Sequence, residues 1–157
     1  MPSTGALAVV LDTNAALDWL VFGDERIQPL ASAIRDGSAI WLASPRMRHE
    51  LGDVLLRPAI AARYPPGATA QTALAEFDRR ARSCAEPPGT GDPRLVCRDA
   101  ADQVFVDLAI ATGARWLITR DKALLALRRA ALGVGLAIAV PEAWVSPALN
   151  TQTRPQG

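Results

Sequence analysis

Four short apolar runs, residues 6–11, 39–43, 116–119 and 136–140, constrain the fold of this chain more than any other feature. Each is continuous rather than alternating and too short for a buried helix, so each reads as a strand covered on both faces. Helical spacing takes over after each run. It covers residues 13–21 and 27–35, with Gly37 as the stop of the second. Ser44 followed by Pro45 is a helix start, with Ser as N-cap and Pro at the first helical position; that helix runs to about Leu56 and ends at Pro58. A short helix precedes Pro65 and Pro66. Residues 68–84 place Ala70, Ala73, Leu74, Phe77, Ala81 and Cys84 at helical spacing, and 87–93 is a Gly/Pro-rich loop. Further helices are expected over 100–111 and 122–129, and a short last one from Pro141.

Strands alternating with helices predict a three-layer α/β/α sandwich around a central, mostly parallel sheet. The 157 residues suit one domain, expected over 1–147, followed by a flexible C-terminal tail at 148–157. In such sheets ligands bind outside the carboxyl ends of the strands, and the acids of this chain fall there. Asp12 ends the first apolar run, and Asp121 follows the third by two residues. Glu50 edges the apolar stripe of Met47, Leu51, Val54 and Leu55, and Asp102 lies on the apolar side of its helix with Val106, Ala109 and Ile110. Carboxylates in or beside core segments are costly unless something positive compensates them. Each has a plain alternative. Asp12, Asp99 and Asp121 are well placed as helix N-caps, and Glu50 could keep its head in solvent. Convergence of several at one sheet edge instead suggests a divalent-cation site and phosphodiester chemistry. On the helix from Ala100, Gln103 and Asp107 mark the side expected to face solvent, and His49 is expected at the surface.

Composition excludes several classes. Half the residues are hydrophobic, which argues against disorder over most of the length. Net charge is +1, so any nucleic-acid binding must rest on local arginines or on metal, not on a global field. Two cysteines, Cys84 and Cys97, and one histidine cannot supply a structural zinc site. No apolar run reaches membrane-spanning length and no leader pattern opens the chain, so a cytoplasmic location is expected.

Four segments, in order, resemble the PIN domain family. Val9-Val10-Leu11-Asp12-Thr13-Asn14 looks like its opening. Residues 44–50 with Leu55-Leu56-Arg57-Pro58 are similar to the segment carrying its second acid. Cys97-Arg98-Asp99-Ala100-Ala101-Asp102, then residues 105–109, resemble the third block. Ala114-Arg115-Trp116-Leu117-Ile118-Thr119-Arg120-Asp121 with Lys122-Ala123-Leu124-Leu125 resembles the fourth. The Arg-Asp-x-x-Asp form of the third block and the Leu-Leu-Arg-Pro phrase point to the toxins of toxin–antitoxin pairs, the VapC-like ribonucleases. The resemblance spans about residues 7–146. It implies a parallel sheet of about five strands and cleavage of single-stranded RNA with Mg²⁺ or Mn²⁺. It also implies neutralisation by a cognate antitoxin. By motif position the family's acids map to Asp12, Glu50, Asp102 and Asp121, with Asp99 as the extra acid of the subgroup and Thr13, Asn14 and Thr119 as supporting polar positions. Ala100 and Ala101 replace a more polar pair, and Gln103 stands where another acid is common, which leaves one or two metals open.

Arg46, Arg48, Arg98 and Arg120 flank the expected site and are candidates for substrate phosphates, with solvated surface as their alternative. The amphipathic stretches near 27–36 and 68–84 could form a homodimer or antitoxin groove, or simply pack into the core. Two other readings stay open: a catalytically silent PIN-like binding module, and a phosphotransfer protein of flavodoxin-like topology with Asp12 as acceptor. The second wants a lysine at the end of a late strand, and the one lysine, Lys122, follows Asp121 inside the next helix.

Overall fold

A computed structural model describes residues 7–146; the tail expected at 148–157 lies outside them. The chain runs β1 (Leu7–Leu11), α1 (Thr13–Leu20), α2 (Gln28–Asp36), β2 (Ala39–Ala43), α3 (Pro45–Leu55), α4 (Pro58–Ala61), α5 (Ala70–Arg80) and β3 (Ala81–Ser83). It continues through α6 (Gln103–Thr112), β4 (Trp116–Ile118), α7 (Lys122–Leu125), α8 (Arg128–Leu132) and β5 (Ala137–Ala139). The five strands form one sheet in the order β3-β2-β1-β4-β5, and every pairing is parallel. This is the expected α/β architecture with the expected strand number.

The order reverses between β1 and β4. Connections step one way from β1 to β2 to β3, then cross back and step the other way from β4 to β5. Because such crossovers are right-handed, the two sets of helices cover opposite faces of the sheet. Helices α1, α3 and α5 pack on one another, while α6 lies along β1 and β4 and α8 along β5. The crevice between β1 and β4 is therefore the switch point at which open α/β sheets bind ligands.

Local signals set most helix ends. Ser44 accepts from the Met47 N–H at the head of α3, and Thr69 and Thr72 form a reciprocal capping box on α5. Gly113 closes α6 in the left-handed region at φ 69°, which a residue with a Cβ adopts only under strain. Inside, Trp41 sits between Trp19 and Phe77, with ring centroids 5.3 and 4.9 Å away. Residues Leu30, Ala31, Ala33 and Ile34 of α2, and Ala73 and Phe77 of α5, turn into this core. The apolar faces considered as a docking groove are thus spent on packing.

Four expectations need correction. The helix expected over 68–84 stops at Arg80, and residues 81–83 are the edge strand β3, registered Trp41↔Ala81 to Ala43↔Ser83. That pairing joins residues 40 apart, and three residues carry no periodicity of their own. The helix expected over 122–129 is two short helices, and the last helix is a single 3-10 turn, Pro141–Ala143. The expectation that Gln103 and Asp107 face solvent fails as well. Gln103 accepts from the Cys97 N–H at 2.6 Å and donates to the Leu95 carbonyl at 2.9 Å and to Asp107 at 3.0 Å. Asp107 also accepts from the Thr90 N–H at 3.3 Å. The pair pins the 90–97 loop against α6, so both side chains are half-buried.

Candidate active site at the sheet switch point

The parallel register of β1 and β4 pairs Leu11 with Ile118, which brings the next residues, Asp12 and Thr119, side by side. Among the described residues only Asp12, Ser44 and Thr119 are buried polar or charged side chains, and each follows the carboxyl end of a strand. Asp12 Oδ1 accepts from the Ala15 N–H at 2.8 Å, so the N-cap expectation holds. Its Oδ2 accepts from the Thr119 hydroxyl at 2.5 Å. The same hydroxyl oxygen accepts from the Asp121 N–H at 2.9 Å. One threonine thereby ties the first acid to the last. Asp121 caps α7 through the Ala123 N–H at 2.8 Å.

The third acid arrives from the other side of the crevice. Asp99 caps the 3-10 turn Ala100–Asp102 through the Ala101 N–H at 3.0 Å. That turn, rather than the α-helix expected to begin at Ala100, precedes α6. Asp102 occupies the N-cap position of α6 but its side chain caps nothing, so its carboxyl is free to leave the helix. Oxygens of Asp99, Asp102 and Asp121 lie within 4.8 Å of one another.

Electrostatics follow from this crowding. Burial, opposed by its two hydrogen bonds and reinforced by Asp121 and Asp18, pushes Asp12 up to about 6. Burial, then the hydrogen bond shared with Asp121, then repulsion from Asp121, Asp99 and Asp12, pushes Asp102 up to about 7. Asp121 goes the other way, held low by the hydrogen bond from Asp102 and by the Ala123 N–H. The crowding thus pushes Asp102 and Asp121 in opposite directions, as closely spaced carboxyls do when both cannot ionise freely. The hard oxygen donors of Asp99, Asp102 and Asp121 fit a divalent cation.

The other expected residues are distributed less evenly. Glu50 is half-buried on α3 and is not one of the three acids whose oxygens gather. Its helical neighbours Met47 and Leu51 line a small cavity with Asp12 and Thr13. Asn14 is exposed. His49 is at the surface, 3.5 Å from Asp53. Of the arginines, Arg98 is exposed and its charge acts on Asp121. Arg46 is exposed, its backbone N–H donating to Glu86 at 2.9 Å. Arg48 is engaged in a two-bond pair with Asp78 at 2.7 and 2.9 Å. The Arg120 side chain meets Asp18 at 3.4 Å and Glu142 at 2.9 Å. Sequence reasoning missed these acids. Asp18, set among the apolar residues Ala15–Trp19 of α1, was the one with a visible signal.

Proteins of known structure share this fold. None of the curated proteins matches the chain in sequence. Among solved structures, the chain is similar to PAE2754 from Pyrobaculum aerophilum, with 19% identity, a TM-score of 0.59 and coverage of 95% of this chain and 96% of that one. It is also similar to VapBC2 from Rickettsia felis, solved bound to a DNA fragment from its promoter. There the identity is 13%, the TM-score 0.56, and the coverage 84% of this chain and 97% of that one. At these identities the likeness speaks for the fold. The sequence itself matches the PIN domain model over residues 8–123, a span that begins in β1 and ends just past Asp121. A match over that much of the sequence shows that the chain belongs to the PIN domain family.

Proposed function

We propose that this protein is a divalent-metal-dependent endoribonuclease acting on single-stranded RNA, and that it is the toxin of a cytoplasmic toxin–antitoxin pair. The observation that carries the reading is the convergence of Asp99, Asp102 and Asp121, with oxygens within 4.8 Å of one another, beside buried Asp12 at the switch point. A cluster so short of positive charge is poor as structure and well suited to a cation. Asp12, Asp99, Asp102 and Asp121 would hold it, with Glu50 completing the set from α3. A divalent cation bound there supplies activation of water and neutralises charge on the phosphate.

The chain's own residues prepare the site. Thr119 keeps Asp12 Oδ2 and the Asp121 backbone in one orientation, so two acids from different strands present a fixed pair of oxygens. Asp102, whose side chain caps no helix, would offer its carboxylate to the cation beside Asp99 and Asp121. Arg46 and Arg98, exposed beside the rim, are assigned to RNA phosphates. Arg48 and Arg120 already answer acids of their own and serve the scaffold. The antitoxin partner rests on the motifs and on the likeness to VapBC2. No helix among the described residues is long and apolar enough to cross a membrane, which is compatible with the proposed location.

The test is degradation of single-stranded RNA with Mg²⁺ or Mn²⁺, with and without EDTA. Cleavage is expected with metal alone and is lost in Asp121→Asn. Calorimetry showing no Mn²⁺ binding at millimolar concentration would favour the silent binding module instead.

A further inference from the structure

A second feature adjoins the acids and has no role in holding them. A pocket of about 430 Å³ opens between the 89–97 loop and the first turns of α6, with Thr90, Val96, Cys97, Ala100, Gln103 and Asp107 in its wall. It shares one turn of chain with the acid cluster. The turn from Cys97 to Asp102 lines the pocket with Cys97 and Ala100 and supplies Asp99 and Asp102 to the cluster.

The wall chemistry selects among nucleotide parts. Asp107 Oδ1 is fully used by the Thr90 N–H and the Gln103 amide. Among the described residues nothing donates to its Oδ2. The pocket's other acid, Asp92, is paired with Arg94 at 2.8 Å, and no arginine or lysine lines the pocket. Such a wall repels phosphate and accepts from a neutral donor. Val96 is 62% exposed at its edge, leaving an apolar surface that a ring would cover. Gln103 fixes the loop through Leu95 and Cys97, so the pocket is formed in advance. Its volume falls in the range of small-ligand sites.

We propose that this pocket receives the base of a nucleotide neighbouring the cleaved phosphate and prefers a base carrying an exocyclic amine, which donates to Asp107 Oδ2. As an RNA subsite the proposal rests on the nuclease reading; as a base pocket it can be tested alone. Cytidine and uridine, which carry no phosphate for the acid cluster, are titrated into the ¹⁵N-labelled full chain in EDTA, following the amides of Gly89, Gly91 and Val96. Cytidine should shift them with an affinity about tenfold above that of uridine, the size of one hydrogen bond to a charged acceptor. Asp107→Asn keeps an oxygen for Thr90 and Gln103 but can turn an amide N–H toward the pocket, so the preference should reverse toward the uracil carbonyl. Ala100→Phe, a change at an exposed position, should abolish the shifts in a folded protein. Absence of shifts with both nucleosides, or an unchanged preference in Asp107→Asn, overturns the proposal. Metal-dependent cleavage of RNA oligomers with no base preference beside the cut overturns the subsite and leaves the nuclease reading standing. Nucleoside shifts without any cleavage do the reverse, keeping the base pocket and ending the nuclease reading.

Discussion

At the scale of single residues the site depends on carboxylates placed where ionisation is costly. Asp12 and Asp102 have raised values of about 6 and about 7. The sign follows from linkage: a carboxyl raised in the folded state favours folding below its unfolded value, near 3.8, and that contribution disappears as pH climbs through 6 and 7. At pH 8 the metal-free protein therefore carries both costs. Mn²⁺ should accordingly raise Tm more at pH 8 than at pH 5, as measured by calorimetry in the two buffers with and without EDTA. An equal increment at both pH values would contradict the assignment. Asp12→Asn keeps the cap to Ala15 and removes the charge. It should leave Tm at pH 8 unchanged or higher without metal, while metal-dependent RNA cleavage falls at least about 100-fold. Wild-type cleavage by a folded Asp12→Asn protein would sink the mechanism. The four primary acids were legible as residues because each stands beside an apolar run, but only Asp102 and Asp121 gather closely in space, with Asp99, while Asp12 joins them through Thr119. Glu50 shows why. Helical spacing places a side chain around its own axis and says nothing about how far that helix stands from the next element.

At the scale of elements, β4 and its exit turn organise the site. Extended backbone turns Thr119 toward Asp12, and Arg120 reaches instead to Asp18 of α1 and to Glu142 after β5. Arg120→Ala should lower stability by about 1–2 kcal/mol, since the pairs are only partly shielded from water. It should also weaken Mn²⁺ binding several-fold through its neighbours Thr119 and Asp121; a loss of RNA affinity with stability and Mn²⁺ binding unchanged would return Arg120 to the substrate. Thr119→Val removes the hydroxyl shared by Asp12 and Asp121. It should cost about 1–3 kcal/mol in denaturant unfolding, the usual penalty for unpairing a buried polar group. Helix starts and stops were largely readable, because caps such as Ser44 and stops such as Gly37 and Gly113 act within one turn. The strand β3 was not, since nothing local separates residues 81–83 from the end of α5.

For the whole molecule, near-neutral net charge limits the electrostatic grip on RNA. With Arg46 and Arg98 as the assigned phosphate contacts, RNA binding by Asp12→Asn in EDTA should weaken only gently with salt. A log–log slope of about −1 to −2 is expected from fluorescence anisotropy. A slope several times steeper would show that more of the arginines engage substrate. The aromatic stack of Trp19, Trp41 and Phe77 joins α1, β2 and α5 beneath the site, and Trp41 is 1% exposed. Trp41→Ala should cost about 3–5 kcal/mol and cripple folding and activity together, unlike the acid variants.

The sequence by itself determined what short-range physics governs. Continuous apolar runs became strands, apolar spacing became helices, polar residues beside helix starts became caps, and acids fell at the strand ends. Tertiary structure alone decided the strand order that sets β1 beside β4, the edge strand β3, the use of Gln103 and Asp107 to hold a loop, and the choice of Asp78, Asp18 and Glu142 as arginine partners. Most of these depend on contacts between residues tens of positions apart, and the loop held by Gln103 and Asp107 on contacts 6 to 17 apart, whose free energy appears only when the chain closes and brings the groups within reach.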